Sequence, residues 1–309
     1  MLETRARAIF VDASATLADL AERLRRPDDP ELRIHRDPDV KPQQLPGILS
    51  GAQIALIDHT ALPVGIALRC EGLKHVVFLG TGARSYMNPE ALAEIGITVH
   101  TIKGYGDTAV AECAFALMWS AAKGLARMDR EMRAGRWLRT DGIQLTGKTL
   151  GLIGFGSIAA ELARLALGCG MKVLAWNRTA RSHPGVDFVG LDRLIKGSDV
   201  VSLHLLLNDE TAGFLTRERI QAMRPGAILI NTARGALVDE TAMVDALRSG
   251  HLAHAGLDVF TTEPLPAEHA LATLPNVTLS AHSAFRTPEA SINLVEAALE
   301  HCRRIAIRS

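Results

Sequence analysis

Short apolar runs alternate with segments of helical periodicity along residues 1–100. The apolar runs favour β-strands at 8–12, 32–35, 54–57, 75–79 and 97–100, and helical spacing is clearest over residues 16–26. Strands that alternate with helices favour a parallel sheet with helices on its faces. We therefore predict that these residues form one α/β unit.

A helical stretch over residues 108–133, rich in alanine, methionine and leucine, follows and is interrupted only by Gly124. After a polar stretch, a second series of strands and helices begins at residue 149. The last helical run, 288–306, is long enough to return to the first unit. We predict a discontinuous domain of residues 1–100 and 287–309, and a second domain of residues 101–286. The predicted strands of the second series are 150–154, 172–176, 200–205, 227–231, 255–259 and 277–280.

Length and composition agree with two ordinary globular domains. The 309 residues exceed what one hydrophobic core usually holds. Lysine plus arginine and aspartate plus glutamate number 34 each, so no basic excess indicates a nucleic-acid partner. We also expect no membrane partner, because no run of about 18 apolar residues occurs. The four cysteines are widely spaced, which indicates neither a disulfide framework nor a zinc site. His251 and His254 lack a nearby third ligand, so we assign no metal. Because the cysteine spacing indicates no disulfides, we expect a cytoplasmic protein.

A glycine-rich turn follows the first strand of the second series. Apolar residues lead straight into Gly154-Phe155-Gly156-Ser157-Ile158-Ala159, and a helical run comes next. In G-x-G-x-x-A spacing the first glycine permits a tight turn, the second admits a pyrophosphate, and the alanine lets the helix pack closely. The helix N-terminus then offers N–H groups to phosphates. A plain glycine turn is the alternative, but the strand before and the helix after favour dinucleotide binding.

Three polar side chains follow later strands of the same series. They are Arg234, Glu263 and His282, with Asp258 inside the middle strand. Ligands of parallel sheets bind at such carboxyl ends. Arginine can hold a carboxylate with two parallel hydrogen bonds, and histidine can exchange a proton near neutral pH. Each residue alone is more often structural or solvated, but their joint placement favours a catalytic site.

The sequence resembles the D-isomer-specific 2-hydroxyacid dehydrogenases, clearly over residues 109–287 and more faintly over residues 1–100. The matching segments are VAE at 110–112, GRW at 135–137, TGKTLGLIGFGSIA at 146–159, NTARGALVDE at 231–240, AGLDVFTTEPLP at 255–266 and the segment around His282.

This resemblance implies a Rossmann cofactor domain and a flavodoxin-like substrate domain, both doubly wound parallel sheets, with the active site in the cleft between them. It implies His282 as the acid/base, Glu263 as its partner and Arg234 as the substrate-binding arginine. Members are typically homodimers joined around the segment of Trp137. Backbone N–H groups would bind the substrate carboxylate at Gly80, Thr81 and Gly82. The other candidate cofactor-binding residues on strand ends are Leu205, Thr232, Ala233, Ser283 and Asp258, the last of which the resemblance places near the nicotinamide carboxamide.

Two departures from the family pattern affect the expected substrate. Ala83-Arg84-Ser85 follows the Gly-Thr-Gly segment, where the family usually has an aromatic or small residue and then Asp or Asn. Cys113 replaces the histidine that is common after VAE. Arg84 could meet a second acidic group on a substrate, or it could be a solvated loop arginine. The reaction class stands, whereas the identity of the 2-hydroxy acid is open.

The end of the second strand of this domain indicates the cofactor. An acidic residue about 20 residues beyond the glycine turn binds the ribose 2′-hydroxyl of NAD. Asn177, Arg178 and Thr179 stand there instead. Arginine can pair with phosphate oxygens. In the family that the sequence resembles, members that use NADPH similarly carry a neutral residue followed by arginine at this position. We predict NADP(H), with NAD(H) as the alternative if Arg178 points to water.

The predicted function is a nicotinamide-dependent oxidoreductase that transfers a hydride to or from C2 of a small 2-keto or 2-hydroxy acid. One alternative is a dinucleotide-binding regulatory protein of the corepressor type. Another is a phosphite-type dehydrogenase on the same scaffold. Formate oxidation is disfavoured, because formate enzymes similar to this sequence carry glutamine where Glu263 stands.

Overall fold

The computed structural model describes residues 7–27 and 29–308. Within them the chain divides into two compact units. One contains the residues up to Gly106 and those from Thr287 onwards, and the other contains Asp107–Arg286.

The first unit is built on a five-stranded parallel sheet of order β2-β1-β3-β4-β5. Its strands are β1 Arg7–Phe10, β2 Glu31–Ile34, β3 Ile54–Ile57, β4 His75–Phe78 and β5 Thr98–Thr101. The helices between them are α1 Ala15–Leu24, α2 Leu45–Ile48, α3 Val64–Ala67 and α4 Pro89–Glu94, with 3-10 turns at Pro42–Gln44 and Ala83–Ser85.

The second unit is built on a seven-stranded parallel sheet of order β12-β11-β10-β9-β6-β7-β8. Its strands are β6 Thr149–Ile153, β7 Lys172–Trp176, β8 Val186–Phe188, β9 Val200–Leu203, β10 Ala227–Asn231, β11 Leu252–Leu257 and β12 Val277–Leu279. Its helices are α5 Asp107–Lys123, α6 Leu125–Arg133, α7 Ser157–Gly168, α8 Leu191–Gly197, α9 Arg217–Gln221, α10 Glu240–Ser249 and α11 Ala270–Thr273, with a 3-10 turn at Gly235–Leu237.

The last helix, α12 (Pro288–Arg308), belongs to the first unit. Its apolar face, which includes Leu294, Val295 and Leu299, joins one core with Phe10 of β1 and Leu17 of α1. Residues 294, 295 and 299 lie on one face because a helix repeats every 3.6 residues. Helix α12 therefore completes the core that β1 and α1 also form.

Both strand orders confirm the predicted fold class. Order 2-1-3-4-5 is the flavodoxin-like arrangement, and β6 to β11 reproduce the dinucleotide-binding order 3-2-1-4-5-6. The central strands β9 and β10 are buried along their whole length, as expected where helices cover both faces of a parallel sheet. In the second sheet the strand order reverses direction between β6 and β9, and ligands of such folds bind outside the carboxyl ends at that point.

The predicted helical stretch 108–133 is two helices. Gly124 has φ 65°, a left-handed conformation that glycine adopts at little cost, and α5 and α6 are bent there by 66°. No single helix in the described part of the chain is long and apolar enough to cross a membrane, although α5 and α6 together meet that criterion by length and composition.

Candidate active site

The candidate residues of the second unit lie at one edge of its sheet, because all its strands are parallel. The glycine turn follows β6, Asn177 follows β7, and Leu205 lies beyond the end of β9. The loops after β10, β11 and β12 carry the three predicted catalytic side chains. The structure thus brings the dinucleotide motif and the catalytic candidates together on this edge.

The glycine turn has the geometry that its spacing predicts. Gly154 has φ 88°, and a Cβ there would stand 2.7 Å from the carbonyl oxygen of His204, so a side chain is excluded. Helix α7 begins at Ser157, and a Cβ on Gly156 would have no heavy atom of another described residue within 4 Å, apart from its chain neighbours. Ala159 is fully buried beneath the turn. Open space therefore lies in front of the helix N-terminus, where N–H groups without helical acceptors point.

Asn177 ties the end of β7 to this turn. Its Oδ1 accepts a hydrogen bond from the backbone N–H of Phe155 at 3.1 Å, and its Nδ2 donates to the carbonyl oxygen and hydroxyl of Thr179. The exposed Arg178 side chain forms an ion pair with Glu210, with 2.6 Å between Nη1 and Oε2. Asn177 thus holds the turn, while Arg178 is the neighbouring cation.

The loop after β10 is fixed by Asn231 and offers a free hydroxyl. Asn231 accepts from the N–H of Ala233 at 3.0 Å and donates to the carbonyl oxygen of Arg234 at 2.8 Å. Thr232 is 8% exposed, and its Oγ1 has no hydrogen-bond partner within the described residues. A buried hydroxyl without a partner fits a bound ligand. Together with the open space at Gly156, it makes these residues compatible with a dinucleotide cofactor.

The loop of Arg234 lies against the loop that carries Glu263, because Gly235, the residue after Arg234, lets the two backbones approach closely. A Cβ on Gly235 would stand 2.0 Å from the carbonyl carbon of Phe260 and 2.3 Å from the backbone nitrogen of Thr261. Only glycine permits this approach of two backbones. Among the described residues, the Arg234 guanidinium makes one hydrogen bond, from Nη1 to the Ala233 carbonyl oxygen. Since a guanidinium has five N–H donors, it retains capacity for a carboxylate.

His282 and Glu263 form the predicted pair. Nδ1 of His282 lies 2.6 Å from Oε2 of Glu263, and Oε1 of Glu263 accepts from the N–H of Phe260 at 2.8 Å. The two side chains are 35% and 34% exposed. A carboxylate on Nδ1 requires the proton there in the neutral ring, so Nε2 is the atom that can accept or donate a proton.

Asp258 holds the backbone of the His282 loop. Its side chain is buried, and its carboxylate accepts hydrogen bonds from the Ser280 hydroxyl and from the N–H groups of Ser283 and Ala284. Its carbonyl oxygen accepts from the N–H of His282. His282 has φ 47°, the one non-glycine residue with positive φ in the described ranges. The carboxylate of Asp258 therefore supports the strained loop that presents His282.

Sequence reasoning missed Ser280 and the surroundings of Cys113. Burial and then the nearby Asp258 carboxylate raise the pKa of the Cys113 thiol, and a hydrogen-bonding interaction with Ser280 opposes this rise. The sequence offered one signal for this contact, namely that Ser280 stands two residues before the candidate His282. Burial also lowers the pKa of His204, whose carbonyl oxygen lies against Gly154, to about 4.

The Gly-Thr-Gly segment belongs to the first unit and follows β4. The N–H of Gly80 donates to the Phe78 carbonyl oxygen at 2.9 Å, and the carbonyl oxygen of Gly80 accepts from Ile102 at 3.0 Å. Arg84 forms an exposed ion pair with Glu90. Binding of a substrate by this segment stays a prediction for Gly80, Thr81, Gly82 and Arg84.

Comparison with known proteins identifies the family. The model of the D-isomer specific 2-hydroxyacid dehydrogenase NAD binding domain matches residues 115–284. The chain belongs to this family. The match covers more than half of the chain and lies within the second unit, which therefore contains the NAD-binding domain.

Three similar proteins illustrate the relationship. A glyoxylate reductase of Korarchaeum cryptofilum is 38% identical over 67% of this chain and 65% of its own length. A hydroxypyruvate reductase of Thermotoga maritima is 39% identical over 73% of this chain and 76% of its own. The structure of an acyclic imino acid reductase in complex with NADPH and D-Arg has a TM-score of 0.81 at 28% identity, covering 94% of each chain. The corepressor and phosphite alternatives gain no support from these matches.

Proposed function

We propose that this protein is a nicotinamide-dependent oxidoreductase that reduces a small 2-keto acid to the D-2-hydroxy acid, or catalyses the reverse. The observation that carries the proposal is the His282–Glu263 pair at 2.6 Å, on the same sheet edge as the glycine turn and Arg234. An acid/base, a carboxylate-binding cation and a dinucleotide turn are the three requirements of this reaction.

Each side chain has a definite part in the proposed reaction. The nicotinamide cofactor, when bound, supplies or receives the hydride. Arg234 binds the substrate carboxylate and polarises the keto oxygen. Nε2 of His282 donates a proton to the oxygen that becomes the hydroxyl, or removes it in oxidation. Glu263 orients the ring through Nδ1 and balances the charge of the protonated imidazole.

We propose glyoxylate and hydroxypyruvate as the first substrates to test. Two relatives are named as reductases of these acids, and both acids carry the carboxylate that Arg234 would bind. Since the chain matches 65% of the length of the glyoxylate reductase, the substrate stands as a proposal about this chain.

We propose NADP(H) as the preferred cofactor, with NAD(H) as the alternative. The segment after β7 carries no carboxylate in Asn177, Arg178 and Thr179, so no acidic group on that strand end repels a 2′-phosphate. Arg178 is exposed at that end and could pair with the phosphate oxygens. The structural neighbour bound to NADPH has the same overall fold.

We further propose a cytoplasmic homodimer. The four cysteines are free thiols, as is usual in a reducing compartment. The segment around α6 exposes Leu125, Met132 and Trp137, the last of them at 75%. Large apolar side chains that are exposed together indicate an interface, and a second copy of the chain would cover them.

The test is turnover of glyoxylate, hydroxypyruvate and pyruvate by the purified protein, with NADPH and NADH compared at equal concentration. We expect oxidation of the reduced cofactor with at least one acid and a higher kcat/KM with NADPH. His282→Ala serves as the matched inactive control. Dinucleotide binding without turnover of any 2-keto acid would refute the proposed reaction, and a higher kcat/KM with NADH would refute the cofactor assignment.

A further inference from the structure

Arg178 and Glu210 form an ion pair above the end of β6. Nη1 of Arg178 and Oε2 of Glu210 are 2.6 Å apart. Arg178 follows β7 and Glu210 lies in the loop after β9, and β6 lies between these two strands in the sheet. The glycine turn follows β6. The pair therefore joins the two loops that flank the glycine turn.

The loop of Glu210 is ordered by its own hydrogen bonds. Oδ1 of Asn208 accepts from the backbone N–H groups of Glu210 and Thr211, both at 3.0 Å. The Thr211 hydroxyl donates to the carbonyl oxygen of Leu206 at 2.6 Å. On the other side, Asn177 ties the Arg178 segment to Phe155 of the glycine turn. Both charges are thus presented by structured backbone, although their side chains are exposed.

Glu210 and the 2′-phosphate of NADP(H) are alternative partners for the Arg178 guanidinium. The two nicotinamide dinucleotides differ only in the 2′-phosphate, a dianion that favours a cation and is repelled by a carboxylate. Arg178 is the cation assigned to that phosphate in the proposed function, and Glu210 already occupies its Nη1. A ribose 2′-hydroxyl does not require the arginine charge and leaves the pair intact.

We propose that Glu210 is a specificity-determining residue that competes with the 2′-phosphate for Arg178 and so reduces the preference for NADP(H). The inference rests on the proposed function, since it assumes that Arg178 meets the 2′-phosphate. It predicts a protein that uses both dinucleotides and whose preference is limited by its own acidic residue.

The experiment measures binding of two fragments by titration calorimetry, without turnover. Adenosine 2′,5′-bisphosphate carries the 2′-phosphate, and 5′-AMP lacks it. The proteins are the parent, Glu210→Gln, Arg178→Ala and the double variant. Asp245→Asn is the matched control, because Asp245 forms a similar exposed ion pair with Arg217 at 3.0 Å elsewhere in this unit.

Glu210→Gln should increase the affinity for the bisphosphate by about two- to fivefold relative to the affinity for 5′-AMP. This is the scale of an exposed ion pair. The gain should shrink at high salt, because exposed charges are screened. In the Arg178→Ala background the same substitution should change the ratio by less than about twofold. Asp245→Asn should match the parent.

Two results would overturn the inference, and they distinguish its own failure from that of the cofactor assignment. If Arg178→Ala weakens binding of the bisphosphate but Glu210→Gln leaves this binding unchanged or weakens it, Glu210 does not compete and the inference alone fails. If Arg178→Ala leaves bisphosphate binding unchanged, the role of Arg178 in the proposed function fails, and the inference fails with it.

Discussion

Replacement of Ser280 by alanine tests whether Asp258 holds the His282 loop. The Asp258 side chain is 1% exposed, and its Oδ1 accepts from the Ser280 hydroxyl at 2.6 Å and from the N–H of Ser283 at 3.0 Å. The substitution leaves this buried oxygen with one donor. A hydrogen bond to a charged group contributes about 1.5–3 kcal/mol, so we expect the free energy of unfolding to fall by that amount.

The assay is thermal unfolding of the purified protein together with steady-state kinetics. A loss of that size should lower the melting temperature by about 3–12 °C for a unit of this length. Turnover should fall more than dinucleotide affinity, because the loop positions His282 and lies away from the glycine turn. Ser249→Ala is the matched control, since its hydroxyl donates to the neutral carbonyl oxygen of Ala246 at 3.1 Å.

Two outcomes would contradict this reasoning. Equal losses of stability in Ser280→Ala and Ser249→Ala would show that the charge of Asp258 adds nothing to the hydrogen bond. Failure of Ser280→Thr to restore turnover, although it keeps the hydroxyl, would assign the effect to side-chain shape.

Three further substitutions and one pH dependence follow from the structure. His282→Ala should nearly abolish turnover while dinucleotide affinity stays within about twofold, and an unchanged rate would exclude His282 as the acid/base. Glu263→Gln should chiefly shift the pH profile of kcat/KM, because it removes the charge beside Nδ1; a profile that superimposes on the parent's would contradict the pairing. Arg234→Lys should lose at least about 1.5–3 kcal/mol of transition-state stabilisation, since lysine lacks the planar fork, and kcat/KM within about twofold of the parent would refute this. The hydrogen bond to Asp58 raises the pKa of His59 to about 9. Its contribution to stability should therefore be complete below pH 6.5 and lost as the pH rises through about 9, and urea unfolding of the parent and His59→Gln should converge over that range.

Sequence reasoning located strands such as β3 and β9 because a parallel strand that is covered on both faces is largely apolar. The strand β8 (Val186–Phe188) was missed, since its three residues include Asp187 and it lies at the sheet edge. The pattern around Gly124 predicted one helical stretch, because the apolar periodicity continues across the glycine. The helical backbone conformation is interrupted there, since Gly124 has a positive φ.

The candidate site was predictable as far as its residues act through local motifs. The Gly-x-Gly turn and the His282–Glu263 pair lie where their strand ends place them. The contact between Arg178 and Glu210 left no local signal, because its partners are 32 residues apart and meet only through the order of the strands. The support from Asp258 to residues 282–284 was likewise invisible, since it depends on a backbone conformation that periodicity does not encode.

The hydrogen bonds of the His282 loop have a consequence for amide exchange. The N–H groups of His282, Ser283 and Ala284 donate to the carbonyl oxygen and buried carboxylate of Asp258, the residue that directly follows β11. Loops usually exchange their amide hydrogens through small local openings, whereas core strands exchange through larger ones. These three amides should therefore exchange with deuterium as slowly as those of β11, and Asp258→Ala should release them while the β11 amides remain protected.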